Sequence, residues 1–82
     1  MYESLIGEKV TVIVATRGQF VFEYNGTLSS VTEDDLELTN VSISHLLFTF
    51  QYGPISRNLS KYKDNLKKVI VNKNYVISCD KE

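Results

Sequence analysis

Between Lys9 and Ala15 the chain alternates with a period of two, Val10, Val12 and Val14 falling to one face while Ile13 and Ala15 fall to the other. The β-branched content and the apolar character of both faces predict a well-buried strand. Thr16-Arg17-Gly18-Gln19 interrupts it as a turn, with Gly18 supplying any positive φ the turn requires. Phe20, Phe22 and Tyr24 then share one face, and beyond Asn25-Gly26 the apolar positions resume at Leu28 and Val31. Gly26 has two readings. It marks a bend or bulge inside one long strand, or Asn25-Gly26 is the type I′ turn of a hairpin. After a polar break at Thr32-Glu33-Asp34-Asp35, alternation returns over Leu36–Ile43. Its phase shifts near Asn40, from Leu36 and Leu38 to Val41 and Ile43, as a bulge produces. Ahead of all this, Tyr2–Gly7 has room for a turn or two of helix ending at Gly7.

The second half is less regular. His45–Tyr52 is apolar and aromatic, Gly53-Pro54 breaks it, and Ser60–Leu66 suits a helical turn with Ser60 as its N-cap. This predicts an irregular but partly ordered insertion at about 44–66, its aromatics packed on the sheet or on a neighbouring subunit. Near the end, Val69–Val71 and the run from Tyr75 to Ile77 flank the polar triplet Asn72-Lys73-Asn74, a hairpin signal.

Length and composition narrow the class. An 82-residue chain, 43% hydrophobic and 23% charged, reads as one globular domain over 1–82 that is short enough to benefit from oligomerisation. No apolar run approaches the roughly 18 residues that span a bilayer, and Met1-Tyr2-Glu3-Ser4 lacks the basic and apolar start of a signal peptide. The expectation is a cytoplasmic protein without a membrane partner. Cys79 is the only cysteine, so no intramolecular disulfide forms. Charge is segregated: residues 1–40 hold two basic against seven acidic side chains, and residues 41–82 hold seven basic against three acidic. Such a split suits an anionic partner, complementary faces between subunits, or acidic strands pairing with basic ones inside the domain.

Leu5-Ile6-Gly7 with Val10, Val12 and Val14, Arg17-Gly18 in the first turn, Gly26-Thr27-Leu28, Leu36–Val41 and the closing Val69–Ser78 together resemble the Sm/Lsm family, which includes the bacterial Hfq proteins. The resemblance covers roughly 1–43 and 66–79 and leaves the middle unmatched. It implies a mainly β fold: a small five-stranded, strongly bent antiparallel barrel of Sm-like or SH3-like kind, with a short N-terminal helical turn. It also implies a final hairpin whose last strand pairs with the next subunit. The chain departs from the family where that family holds nucleotides. Ser30–Asp35 is shorter, acidic and without the expected Asn, and Asn72-Lys73 stands where an Arg-Gly pair is expected.

The chemistry is sparse. One histidine, His45, and one cysteine give no metal-ligand spacing, Glu33-Asp34-Asp35 reads as a solvated turn rather than an acid–base pair, and no phosphate loop or nucleophile elbow is present. No enzyme activity, cofactor, metal or small-molecule substrate is expected. The residues suited to contact a nucleic acid or another partner are Arg57, Lys61, Tyr62, Lys63, Asn72, Lys73 and Asn74, with Gly26 as the strand bend. Arg57–Lys63 mixes cations with a ring able to stack a base. The expected function is a non-catalytic Sm-like binding and oligomerisation module without an intact nucleotide pocket, forming homo-oligomers through edge strands. The alternative is an RNA-binding Sm-like ring that uses the basic second part of the chain.

Overall fold

A computed structural model describes residues 2–16, 20–49 and 56–82, and of 47–49 and 56–60 the backbone alone. The expected turn at Arg17-Gly18-Gln19 and the Gly53-Pro54 break lie outside the described residues. A 3-10 turn at Tyr2–Leu5 precedes five strands: β1 (Lys9–Ala15), β2 (Val21–Val31), β3 (Asp35–Thr49), β4 (Ser56–Asn72) and β5 (Val76–Lys81). A second 3-10 turn, Lys73–Tyr75, joins β4 to β5. All pairings are antiparallel, in the order β4-β3-β2-β1-β5.

The alternation in the first half places the core. Val10, Val12, Leu28, Leu36, Leu38 and Val41 are fully enclosed, joined by Val14, Ile43 and Val71. The phase shift in β3 is a bulge. Asn25 pairs with Ser42 and Thr27 with Thr39, so two residues, Asn40 and Val41, oppose Gly26 alone. Asn40 takes φ 53°, and the added residue returns Val41 and Ile43 to the face already occupied by Leu36 and Leu38. Gly26 therefore lies within one continuous strand and not in a hairpin turn. A Cβ there would stand 2.9 Å from the Thr39 carbonyl oxygen and 3.0 Å from Val41 Cγ2. Gly7, at φ 89°, ends the first turn and donates its N–H to the Leu28 carbonyl at 2.7 Å, tying the N-terminus to β2.

Three expectations are corrected. Val69–Val71 and the run from Tyr75 do not form a hairpin, because β4 pairs with β3 and β5 with β1, at opposite ends of the sheet. The polar break is a capped 3-10 turn, in which the Asn72 side chain accepts the Asn74 N–H at 2.8 Å. The turn redirects the chain instead of folding it back. Ser60–Leu66 is strand, not helix, and the stretch expected to be irregular at about 44–66 is, over its described residues, the continuation of β3 and β4 into a long two-stranded ribbon. The run Val69–Val71 is thus the end of a strand of 17 residues.

The short link also determines curvature. A flat five-stranded sheet sets its edges about 19 Å apart, whereas the four Cα steps from Asn72 to Val76 reach at most about 14 Å. The sheet must curl until its two edges converge at that end, which is how Val71 of β4 joins the core beneath β1. The barrel expectation is met only in part: the sheet is curled but open, because β4 and β5 are not hydrogen-bonded to each other.

Candidate interaction site

The expected contact residues fall into two groups at different parts of β4. Lys61, Tyr62 and Lys63 lie exposed on the ribbon. Arg57 pairs with Phe48 in the backbone ladder, and its side chain is outside the described residues. Asn72, Lys73 and Asn74 form the turn at the other end, nine residues beyond Lys63, a strand length of about 30 Å. There Asn72 is occupied as the cap, and Lys73 sets its ammonium 5.6 Å from the centre of the Tyr2 ring. The two groups do not make one surface.

What gathers at the ribbon root was not visible from spacing. Phe22 and His45 are directly opposed on β2 and β3, with ring centres 5.2 Å apart. Phe20 approaches His45 at 5.6 Å, Tyr62 approaches Phe22 at 5.4 Å, and Lys63 lies 5.6 Å from the centre of the Tyr62 ring. Phe20 and Tyr62 are each more than half exposed. The sequence signal for part of this face was the i, i+2 series Phe20, Phe22, Tyr24; His45 and Tyr62 join it only through strand pairing. Burial, aided by the neighbouring Tyr62, pushes the Tyr24 hydroxyl above its ordinary pKa.

Beside the rings, Asp64 organises a small polar cluster. Its carboxylate accepts the Ser42 hydroxyl at 2.6 Å, the Lys61 ammonium at 3.1 Å and the Asn65 N–H at 2.9 Å. Those bonds, the Ser42 hydroxyl foremost, hold its pKa down at about 2.

The two outer strands form the other notable surface. β4 presents Ile70 and β5 presents Ile77, each about 60% exposed. Ile77 is the extra residue of a bulge, since Ser78 pairs with Ile13 and Val76 with Val14. Lys68 is met by Glu37 at 3.3 Å and Lys81 by Glu8 at 3.4 Å. These pairs leave β4 with a cationic excess at Lys63 and Lys67, and β5 with Asp80, followed by Glu82 just beyond the strand. Where the edges converge, a cleft of about 390 Å³ opens between Val14 and Tyr24 on one side and Ile70, Val71 and Tyr75 on the other. Cys79, half-buried on β5, has its thiol pushed up by burial and by Asp80, away from the reactive thiolate.

Among the described residues no group of three His, Cys, Asp or Glu side chains is placed to hold a metal ion, and no helix is long and apolar enough to cross a membrane. Compared with models of known families, with curated proteins and with solved structures, the chain matches none.

Proposed function

We propose that the chain is a non-catalytic binding module of Sm-like kind, a small curled barrel that assembles with copies of itself through the open edges of β4 and β5. The observation that carries this reading is the pair of unsatisfied outer strands. Each offers a row of backbone donors and acceptors, each exposes an isoleucine, and their charges are opposite in sign. Pairing the two edges would satisfy the backbone groups and cover both isoleucines without any change in fold. The acidic Ser30–Asp35 segment and the Asn72-Lys73 pair argue against a nucleotide pocket of the family's kind.

The test is the solution mass by sedimentation for the wild type, Ile70→Lys and Ile77→Lys. The wild type is expected as an oligomer at micromolar concentration, and each variant as a folded species of lower mass. A monomeric wild type would sink the reading.

A second reading, RNA contact, is favoured by the ring cluster of Phe20, Phe22, His45 and Tyr62 with Lys63 over the outermost ring. Bases stack on such surfaces at about 1–3 kcal/mol each. Anisotropy titration with single-stranded RNA at two salt concentrations tests it. Two lysine–phosphate contacts give a log–log salt slope of about −1.4, Tyr62→Ala weakens binding about tenfold, and Lys73→Ala at the far turn leaves it unchanged. Absence of binding at low salt removes this reading and leaves the first intact.

A further inference from the structure

The cleft at the converging end of the sheet is built from neutral groups. Val14 and Val71, both nearly enclosed, and the exposed Ile70 supply its apolar lining. The remainder is Thr16, Tyr24, Asn72 and Tyr75, so among the described residues no charged side chain lines it. Lys73, which follows Asn72, sets its ammonium at the Tyr2 ring instead. The lining takes nothing from Ser30–Asp35 and offers no cation to a phosphate, so it is not a displaced nucleotide pocket.

Neighbouring bonds set the hydrogen-bonding sense of its polar groups. Thr16 Oγ1 donates its one proton to the Phe20 carbonyl at 3.3 Å. Asn72 Oδ1 accepts the Asn74 N–H at 2.8 Å, which leaves the two donors of its amide nitrogen. The hydroxyls of Tyr24 and Tyr75 have no partner among the described residues, and burial, aided by Tyr62, keeps the Tyr24 proton in place. The unused groups are thus chiefly donors, set beside two aromatic rings and three aliphatic side chains. A volume of about 390 Å³ admits a small organic molecule.

We propose that this cleft binds an uncharged planar ring compound bearing a carbonyl group, its ring against the tyrosines and aliphatic side chains and its carbonyl oxygen accepting the Tyr24 O–H. An ion in the cleft would give up its water without gaining a counter-charge. The excess of donors selects the carbonyl, since a ring without an acceptor leaves the hydroxyls unpaired. No carboxylate, imidazole or thiol is among the described lining residues, so the compound is held and not transformed. The inference depends neither on association of the edges nor on RNA contact at the ring cluster.

Coumarin, a neutral planar lactone, is the probe, titrated into the isotope-labelled full chain while backbone amide shifts are followed. The expected result is saturable shifts at Val14, Thr16, Asn72 and Tyr75 with a Kd of about 1 mM, the affinity of a compound of that size. Indole, which has no carbonyl, and coumarin-3-carboxylate, which is charged, should each bind about tenfold more weakly. Tyr24→Phe should weaken coumarin about fivefold, and Tyr75→Ala by a similar factor. Tyr62→Ala, in the separate ring cluster, should leave it unchanged. Coumarin without effect up to its solubility, or shifting only Phe22, His45 and Tyr62, overturns the site. Equal binding of indole overturns the carbonyl, and equal binding of the carboxylate overturns the neutral class. A folded Tyr24→Phe with wild-type affinity overturns the role of that hydroxyl. Should that variant fail to fold, the wild-type shift map, the two comparison compounds and Tyr75→Ala decide the proposal.

Discussion

The two halves of β3 differ in surroundings far more than in composition. From Leu36 to Ile43 the strand is paired on both sides, and its apolar residues are enclosed by the curl that brings β1 and the end of β4 over them. Beyond Leu46, where pairing with Val21 ends β2, only β4 accompanies it. Both halves are rich in apolar residues, so composition does not separate them. The number of strands that reach each half does, and a two-stranded ribbon is marginal by itself.

The largest effect should come from forcing the two halves to resemble each other by straightening β3. Gly26→Val puts a branched side chain against the Thr39 carbonyl and Val41, which the bulge holds in place, and should cost more than about 3 kcal/mol. Circular dichroism with urea unfolding should show a chain unfolded or nearly so. A stable Gly26→Val protein would mean that the close approach at the bulge is not what fixes the bend.

Leu38→Ala, in the enclosed half, should lower unfolding free energy by about 3 kcal/mol. Gly7→Ala should lower it by about 1 kcal/mol, because alanine is strained at φ 89° although nothing lies near its Cβ. At the ribbon root Tyr62→Ala should cost about 0.5 kcal/mol, the worth of one exposed ring contact. Chemical denaturation of the three variants side by side checks this ordering. A Tyr62→Ala cost equal to that of Leu38→Ala would erase the distinction between the halves.

The smallest effect is a titration. The Asp64 carboxyl is depressed from its ordinary value of 3.8 to about 2, so the folded state favours the ionised form. Its contribution is fully present above pH 3.8 and is lost as pH falls through about 2. Amide chemical shifts of Ser42 and Asn65 should report that midpoint, and Asp64→Asn should abolish the transition.

Much of the enclosed half was legible in sequence because each of its elements obeys a local rule. Val10, Val12 and Val14 alternate, Gly26 interrupts a strand where backbone must approach, and the step from Leu38 to Val41 betrays an added residue. The ribbon was not legible. Two bulges within Lys61–Leu66 destroy the period of two, and an outer strand lacks the apolar alternation that burial imposes. The separation of β4 from β5 was hidden for another reason. Two β runs around three polar residues read as a hairpin in any local window, and the competing partners, β3 and β1, lie far away in sequence. The ring cluster was half visible, since Phe20, Phe22 and Tyr24 share a face by spacing, but His45 and Tyr62 arrive from strands whose register no local pattern encodes.

The three-residue turn after Asn72 is a chord strung across an arc. Side-chain preferences alone would let a five-stranded sheet relax toward flatness, but a link this short cannot lengthen to allow it. Bending is therefore written into the connectivity of the chain as well as its packing, and Asn72, by tightening the string, shares in setting how far the bow is drawn.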